Sequence, residues 1–364
     1  MESKILGERI RKIFKEAKVE RILLVNTNSE DPNFIYVTGL LGGLFEGNLL
    51  LITRKKITLF TSPLEYGLAK EQLKNGIRVV NLNSKERMNL LVNQVKGKTV
   101  GINGSFVPYN SYRRIKRKMK IRNMVDVSQA FEKARAVKDQ EEIRRIRIAN
   151  RITKTAISRV QRSLKAGMTE KDAAATFDSL ILKLGADSTS FPSIVCFGKN
   201  AALPHHGPDG TRLKYGDLVL IDVGVKVRNY CSDVTRTTIF GSEAGRIKDY
   251  ARKKRIINIV KEAQRLAMLT IKEGIKGEKP HVTAQRYIDA ADKGAYKGTF
   301  IHSLGHSIGI EVHDGSGRFL SAGSTMILKE GMVSSVEPGI YIPGFGGARF
   351  EDDILVTKKG YKIL

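Results

Sequence analysis

The stretch LVLIDVGVKVRNYCSDVTRTTIF, from Leu218 to Phe240, contains two of the five residues that are most informative about this chain, Asp222 and Asp233. Two runs rich in β-branched residues flank Arg228 and Asn229, a pattern that predicts a β-hairpin with a two-residue turn. Such a turn pairs even-numbered positions with odd-numbered ones, and paired residues share one face of a sheet. Asp222 and Asp233 have opposite parity, so we expect both carboxylates on the same face.

A second acidic pair lies in EPGIYIPGFGGARFED, which begins at Glu337. If Pro343–Gly347 forms a five-residue loop, paired positions have equal parity, and Glu337 shares a face with Glu351. A bulge at either turn would reverse this parity count. We therefore expect two hairpins, each of which presents two carboxylates on one face.

A histidine, His306, lies between the two acidic pairs in HSLGHSIGIEVHD. Gly305 and Gly309 flank it, as expected where the backbone passes close to a ligand. Four carboxylates and one imidazole exceed what a single cation needs, and an oxygen-rich set suits two hard or borderline divalent ions, which activate water in hydrolytic enzymes. The pattern therefore indicates a two-metal hydrolase. Its candidate ligands are Asp222, Asp233, His306, Glu337 and Glu351.

Ion pairing is the alternative to metal binding for a buried acid. Asp222 is surrounded by apolar residues, and a buried carboxylate needs a cation or hydrogen-bond donors. Arg236 could satisfy one such acid but not four. Glu351, followed by Asp352 and Asp353, would otherwise belong to a solvated acidic loop. The grouping of the acids, more than any single residue, favours metal binding.

Five of the six histidines lie in two short segments, ALPHHGP and HSLGHSIGIEVHD. Neutral imidazole binds metals and transfers protons near neutral pH. For His206 and His302 two interpretations stay open, a role beside the site and a structural role. His281 follows Lys279 and Pro280, and we expect it in a loop without function.

Composition limits the class of protein. The 364 residues suffice for two domains. No apolar run is long enough for a membrane span, and the charged start MESKILGERIRKIFKEAK predicts an amphipathic helix rather than a secretory signal. Cys196 and Cys231 are the only cysteines, which is typical of a reducing cytoplasm.

The formal net charge of +26 raises the question of nucleic-acid binding. The densest basic block, residues 113–122, contains no aromatic residue that could stack on bases. Ile115, Met119 and Arg122 fall at helical spacing, so we interpret the block as a solvated helix face. We expect salt-dependent association with polyanions, but no specific nucleic-acid partner and no membrane partner.

The chain divides into two parts of different character. Residues 1–130 alternate helical and strand-like segments, FIYVTG among the latter, as in an α/β domain, and they contain no histidine. Residues 131–364 begin with a long helix, for which Asp139 and Glu142 form a capping box. Two helices followed by an acidic hairpin then occur twice, which indicates an internal pseudo-two-fold duplication.

Several segments, in this order, resemble the pita-bread metallopeptidases: NAALPHH, GDLVLIDVGVKVRNYCSDVTRT, HSLGHSIGIEVHD, GMVSSVEPGIYIP and GGARFEDD. The first part of the chain resembles the creatinase-type domain of the proline-directed branch, which comprises Xaa-Pro dipeptidases (prolidases) and Xaa-Pro aminopeptidases. The resemblance implies a creatinase-like α/β domain over residues 1–130. It implies an α+β pita-bread catalytic domain with an internal pseudo-two-fold over residues 131–364.

The same resemblance implies a role for each candidate ligand. Asp222 would bind one metal ion, His306 and Glu337 would bind the other, and Asp233 and Glu351 would bridge the two. A bridging water or hydroxide would attack the scissile carbonyl, with Glu337 accepting its proton.

Three further residues receive roles from the resemblance. His205 would steady the substrate or the leaving imino nitrogen, His313 would hydrogen-bond the carbonyl oxygen, and Arg349 would position the substrate or its network. The chain departs from the family pattern in GHSIG, where Ser307 replaces a glycine, and in EVHD, where Asp314 replaces a common glutamate. Neither change removes a ligand.

The expected activity is hydrolysis of Xaa-Pro bonds in small peptides, with two divalent ions of manganese, cobalt or zinc as cofactors. Xaa-Pro dipeptidase (prolidase) is the first choice, and Xaa-Pro aminopeptidase on longer peptides is the second. Methionine aminopeptidase activity would leave the first domain unexplained, and a non-catalytic binding protein would not need all the ligands. A homodimer is implied by the resemblance, and the cysteines indicate a cytoplasmic location.

Overall fold

The computed structural model describes residues 3–27, 31–73, 76–241, 244–315 and 319–364. The chain forms two units, Met1–Arg135 and Ala136–Leu364. The division that we expect at residue 130 therefore falls inside a helix, Ser128–Ala136, near whose end the first unit stops. Among the described residues, no helix combines the length and the apolar character that crossing a bilayer requires.

A six-stranded mixed sheet organises the first unit. The elements of this unit are α1 (Ser3–Glu16), β1 (Arg21–Asn26), α2 (Pro32–Thr38), β2 (Asn48–Thr53), β3 (Ile57–Thr61), α3 (Pro63–Gln72), β4 (Ile77–Asn81), α4 (Lys85–Val95), β5 (Thr99–Ile102), α5 (Tyr109–Lys118), β6 (Asn123–Asp126) and α6 (Ser128–Ala136). The strand order is β4-β3-β2-β1-β5-β6, with β1–β2 and β2–β3 antiparallel and the other neighbours parallel. The α/β class predicted for this part is confirmed.

One predicted strand of the first unit is wrong. The β-branched and aromatic residues of FIYVTG favour a strand, but the segment forms most of helix α2. Asp31 caps this helix, because its side chain accepts a hydrogen bond from the backbone N–H of Asn33 at 2.8 Å. Pro32 occupies the first turn and Gly39, with φ of 63°, ends the helix. These start and stop residues outweigh the strand propensity of the short run between them.

The basic block of the first unit forms helix α5 and the turn after it. Ile115 and Met119 are buried, whereas Arg113, Arg117 and Lys118 are exposed. The apolar residues therefore face the core and the cations face solvent, as predicted, but the helix ends at Lys118 and Arg122 lies beyond it.

The second unit repeats one order of elements, two helices followed by antiparallel strands. The first set is α7 (Gln140–Ser163), α8 (Glu170–Lys183), β7 (Ser188–Thr189), β8 (Ile194–Phe197), β9 (Leu218–Val223), β10 (Val225–Val227), β11 (Tyr230–Cys231) and β12 (Val234–Ile239). The second set is α9 (Tyr250–Leu269), α10 (Glu278–Ala290), β13 (Val333–Val336), β14 (Gly339–Ile342), β15 (Gly346–Arg349), β16 (Asp352–Thr357) and β17 (Gly360–Ile363). The capping box of Asp139 and Glu142 starts α7 as predicted.

The first acidic hairpin has the predicted register. Arg228 and Asn229 have positive φ values of 48° and 72°, which the two central residues of a tight hairpin turn require. Across β9 and β12, Asp222 pairs with Thr235. Asp233 lies two residues before Thr235, so Asp222 and Asp233 share a face, as the parity count predicts.

The second acidic hairpin has a shorter loop than predicted. Ile342 pairs with Gly346, so three residues rather than five connect β14 and β15. The parity is nevertheless the predicted one. Val336 pairs with Asp352 where β13 meets β16, and Gly339 pairs with Arg349 where β14 meets β15. Both pairs have the same register, which places Glu337 opposite Glu351.

The segment that carries His306 lies beside β13. The backbone N–H of His306 donates to Oγ of Ser335 at 3.1 Å, and the N–H of Ser335 donates to the carbonyl of His306 at 2.9 Å. The N–H of Glu337 donates to the carbonyl of Leu304 at 2.8 Å. A Cβ atom at Gly305 would lie 2.0 Å from the carbonyl oxygen of Ser335, so only glycine permits this approach.

We predict that Gly305→Ala destabilises the protein by about 2 kcal/mol or more, because the added methyl group pushes this segment away from β13. Gly210→Ala is the matched control, since a Cβ atom there meets nothing within 4 Å, and it should change the free energy of unfolding by less than about 0.5 kcal/mol. Denaturant unfolding of both variants measures the difference. Equal stability of the two variants would contradict the close packing.

Candidate metal centre

A cavity of about 550 Å³ in the second unit collects the residues selected from the sequence. Its lining includes His205, Asp222, Asp233, His306, His313, Glu337, Arg349 and Glu351. These residues come from segments far apart in the chain, and the two acidic hairpins, the loop after Gly305 and the segment before β9 that carries His205 bring them to one place.

Three of the five candidate ligands form a tight group. Asp233, His306 and Glu351 each offer a ligand atom within 4.8 Å of the others. Nε2 of His306 lies 3.5 Å from Oδ2 of Asp233 and 3.4 Å from Oε1 of Glu337. Asp222 lines the same cavity but lies outside the tight group.

Arg349 connects Asp222 to the other side of the centre. Its Nη2 donates a hydrogen bond to Oδ2 of Asp222. Its Nη1 donates to the hydroxyl of Tyr341 at 2.7 Å, and its Nε donates to Oγ1 of Thr235 at 3.2 Å. Thr235 in turn donates to Oε2 of Glu351 at 2.7 Å. One buried guanidinium thus holds two acidic ligands, the second through a hydroxyl.

Unpaired carboxylate oxygens indicate where cations fit. Oδ1 of Asp222, Oδ1 of Asp233 and Oε1 of Glu351 are buried and have no hydrogen-bond partner among the described residues. A buried, unpaired carboxylate oxygen is costly unless a cation or donor meets it. The donor set, oxygen-rich with one imidazole, fits divalent cations of the manganese, cobalt or zinc type.

A second group of residues that could bind a metal ion comprises Glu170, His206 and Asp209, and it differs from the first in its hydrogen bonding. Oε1 of Glu170 accepts hydrogen bonds from the N–H of Phe197 at 2.7 Å and from Nδ2 of Asn200 at 3.0 Å. Its Oε2 meets Nε2 of His206 and the N–H of Asp209, both at 3.1 Å. Because hydrogen bonds already satisfy this carboxylate, we interpret the group as structural.

The pKa values of three clustered acids are raised, chiefly by burial. Burial, followed by the charge of Glu351, raises the pKa of Asp233 well above its ordinary value. Burial, followed by Glu337, does the same to the pKa of Glu351. Burial raises the pKa of Glu337 to about 8, against the opposing charge of Arg349. Divalent cations would favour the ionised forms of all three.

His306 is held in a neutral form that suits a metal ligand. Burial, and then the neighbouring His313, lowers the pKa of His306 to about 3. Its Nδ1 lies 3.4 Å from the carbonyl oxygen of Ser307, which can only accept a hydrogen bond. Nδ1 therefore carries the proton, and the lone pair of Nε2 points towards Asp233 and Glu337.

The two histidines left open by the sequence lie beside the site. His302 bonds through Nε2 to the hydroxyl of Tyr341 at 2.8 Å, and burial lowers its pKa to about 4. His206 bonds to Glu170 and so fixes the loop that carries His205. The prediction that His281 lies in a loop is wrong. It lies buried in the first turn of α10, where Pro280 is tolerated because the first turn needs no N–H donor.

Sequence reasoning missed two residues that support the ligands. Thr235 could have been found, because the hairpin register places it directly opposite Asp222. Asp353 is buried, which raises its pKa to about 7, and its Oδ2 accepts hydrogen bonds from the N–H of Asp233 at 3.0 Å and from Asn150 at 2.7 Å. No sequence pattern connects Asn150, on α7, with this acid.

Comparison with known families agrees with this geometry. Residues 144–358 match metallopeptidase family M24, and residues 8–137 match the creatinase/prolidase N-terminal domain. The chain therefore belongs to metallopeptidase family M24, with a creatinase-type domain before the catalytic domain. The family and the fold class predicted from the sequence are confirmed.

Individual relatives match over almost the whole chain. The Xaa-Pro dipeptidase of Pyrococcus horikoshii is 34% identical, over 99% of this chain and 97% of the relative. The solved structure of an Xaa-Pro dipeptidase from Bacillus anthracis has a TM-score of 0.87 at 32% identity and covers 100% of this chain and 97% of its own. That of an X-Pro aminopeptidase from Thermotoga maritima has a TM-score of 0.85 at 31% identity, with coverage of 98% and 96%.

We predict that His306→Ala lowers the metal content of the purified protein, because it removes the imidazole between Asp233 and Glu337. His205→Ala is the matched control. His205 lines the same cavity but makes no hydrogen bond to the acids among the described residues, so the metal content should stay at the wild-type level. Elemental analysis after dialysis against trace manganese checks both. Equal metal content in the two variants would contradict the assignment of His306.

We predict that the titration of Glu337 lowers the stability of the metal-free protein as the pH rises. The pKa of Glu337 is about 8 in the folded chain and 4.5 ordinarily, so between these values the folded state binds more protons than the unfolded state. The contribution of Glu337 to the free energy of unfolding must therefore fall with rising pH across this window. Chelated protein unfolded in denaturant from about pH 5 to about pH 8 tests this.

Glu337→Gln isolates the contribution of this group to the pH dependence. The variant should show a flatter pH profile than the chelated wild type, because glutamine does not titrate. Metal-loaded wild type should also be flatter, since cations take the place of the proton. Parallel profiles for chelated wild type and Glu337→Gln would contradict the raised pKa.

Proposed function

We propose that this chain is a dinuclear metallopeptidase that hydrolyses Xaa-Pro bonds in small peptides, with Xaa-Pro dipeptidase as its main activity. The observation that carries the proposal is the set of buried, unpaired carboxylate oxygens of Asp222, Asp233 and Glu351, which share a cavity with the neutral His306. Such a donor set requires cations, and membership of family M24 supplies the reaction class.

Two divalent cations, when bound, lower the pKa of water and polarise a carbonyl group. Asp222, Asp233, His306, Glu337 and Glu351 would hold them. Glu337 would also accept the proton of the attacking water, because bound cations keep its carboxylate ionised. Burial at the centre excludes bulk water and strengthens these interactions.

His205 and His313 act on the substrate. Both are exposed in the cavity, and neither makes a hydrogen bond through its ring among the described residues. Burial, followed by His205, lowers the pKa of His313, so it is neutral and has one N–H to donate. His313 would donate to the scissile carbonyl oxygen, and His205 would contact the imino nitrogen of the leaving proline. Arg349 keeps Asp222 in place through its hydrogen bond.

The proline preference rests on the relatives and on the cavity lining. The relatives from Pyrococcus horikoshii and Bacillus anthracis are named Xaa-Pro dipeptidases. Phe191, Ile194 and Val312 line the cavity together with Pro204 and Pro208. These apolar side chains would accept the pyrrolidine ring of proline, because the ring carbons are apolar and form no hydrogen bonds.

Xaa-Pro aminopeptidase is the second candidate, and one observation favours it. Arg349 is the only lysine or arginine among the described residues that line the cavity, and it already bonds Asp222 and Tyr341. The proline of a dipeptide ends in a carboxylate, which seeks a cation. A longer peptide has a neutral amide at that place, and the Thermotoga maritima relative is named an X-Pro aminopeptidase.

Manganese, cobalt or zinc suits the mixed oxygen and imidazole donors. We propose a homodimer, which sedimentation would test. A cytoplasmic location fits the two cysteines, Cys196 and Cys231, which are free and buried.

We predict that metal-loaded protein hydrolyses an Xaa-Pro dipeptide faster than an Xaa-Pro-Yaa tripeptide, and that exhaustive chelation abolishes both activities. Asp233→Asn and Glu351→Gln should lower the rate at least about 100-fold, because even residues that merely orient a metal ligand contribute 10–100-fold. Circular dichroism should show that both variants remain folded.

The substrate panel separates the alternatives. Faster cleavage of the tripeptide would show that the main activity is that of an Xaa-Pro aminopeptidase rather than a dipeptidase. Removal of methionine from Met-Ala peptides, without cleavage of Xaa-Pro peptides, would show that the protein is a methionine aminopeptidase. Turnover that survives chelation, or wild-type rates in Asp233→Asn, would contradict the metal-dependent mechanism itself. Tight duplex DNA binding at physiological salt without any hydrolysis would favour a binding protein instead.

A further inference from the structure

His313 lacks a hydrogen bond that would fix its own ring. The side chain is exposed in the cavity, and its ring contact is with His306, at a centroid separation of 4.0 Å and an interplanar angle of 85°. Among the described residues, no hydrogen bond to its ring nitrogens occurs. The direction of this imidazole must therefore be set by the backbone that carries it.

The next residue, Asp314, is anchored in the interior. Its Oδ2 lies 2.8 Å from Nζ of Lys138, and the two side chains are only 2% and 0% exposed. Its backbone N–H donates to the carbonyl of Ser307 at 2.9 Å. A Cβ atom at Gly309 would lie 1.9 Å from Oδ2 of Asp314, so the loop passes directly over this carboxylate.

Lys138 is itself held at a fixed place. Its backbone N–H donates to the carbonyl of Gly331 at 2.9 Å, and its neighbour Val137 pairs with Met332, next to β13. Lys138 lies just before helix α7, which begins at Gln140. The ammonium group therefore comes from a rigid part of the catalytic unit.

The metal-ligand end of the loop has hydrogen bonds that do not involve this ion pair. Hydrogen bonds to Ser335 on β13 hold His306, and the N–H of Cys231 donates to the carbonyl of Gly309 at 2.7 Å. Asp314 also touches this end, at Ser307 and Gly309, but His313 is its direct neighbour in the chain and has no such hydrogen bonds of its ring among the described residues. Loss of the ion pair should therefore displace His313 and leave His306 in place.

Stability alone does not explain a buried ion pair. Two apolar residues of similar volume usually stabilise an interior as well as such a pair does, whereas removal of one partner leaves a costly unpaired charge. A charged hydrogen bond differs from an apolar contact in that it fixes direction.

We propose that the buried Lys138–Asp314 ion pair is the device that aims His313 at the substrate, which makes Lys138 a positioning residue for catalysis. This inference rests on the proposed function, because it assigns His313 a part in peptide hydrolysis. The pair lies outside the cavity and acts through the single peptide link between Asp314 and His313.

The double variant Lys138→Met/Asp314→Leu tests the proposal, because it removes both charges together. It should fold with a stability close to that of the wild type, bind the same amount of manganese, and show kcat lowered about tenfold or more with KM changed less than about threefold. Lys138→Met alone should be less stable than the double variant, since it removes the buried cation that faces the Asp314 carboxylate.

Combination with His313→Ala separates positioning from mere packing. In the wild-type background His313→Ala should lower kcat strongly, and in the double-variant background it should lower kcat by less than about threefold, because the ring is already misplaced. A double variant with the wild-type kcat, or a full additional effect of His313→Ala in that background, would overturn the proposal.

A crystal structure of the double variant gives a readout that needs no substrate. The proposal predicts that the His313 ring moves away from its 4.0 Å contact with His306 while His306 keeps its bonds to Ser335. An unmoved His313 would contradict it. Wild-type protein that is inactive on every Xaa-Pro peptide would defeat the proposed function, and this structure would still decide the positioning role.

Discussion

The catalytic unit depends on one electrostatic constraint, a set of buried carboxylates too close together to be ionised without cations. Asp233, Glu337 and Glu351 all have pKa values above their ordinary range, chiefly because of burial. Arg349 compensates one oxygen of Asp222, but buried oxygens of Asp222, Asp233 and Glu351 have no hydrogen-bond partner among the described residues. Burial, crowding and a neutral histidine together make a place where divalent metal ions are the natural counter-charge.

The register of two hairpins brings the acidic residues together. In each hairpin the parity of the turn places two acids on one face, and the second hairpin keeps its parity although its loop is three residues rather than five. Side-chain support comes from behind the ligands, where Thr235 and Asp353 hold Glu351 and Asp233. The loops that carry His205 and His313 are each anchored at the following residue, His206 on Glu170 and Asp314 on Lys138.

The predictable part of the molecule is the part governed by local patterns. Strand alternation and turn length predict that Asp222 and Asp233 share a face, and the capping box predicts the start of α7. Contacts between distant segments have no such signal, and Lys138 is 176 residues from Asp314. Where two local signals conflict, as in α2, the cap at Asp31 decides against the strand propensity of the run.

Anomalous diffraction from a crystal grown with manganese would show whether this cavity holds a dinuclear centre. We expect two manganese peaks about 3.5–4 Å apart, both within coordination distance of Asp233 and Glu351. A single peak, no peak in this cavity, or manganese bound instead at Glu170 and His206 would contradict this expectation.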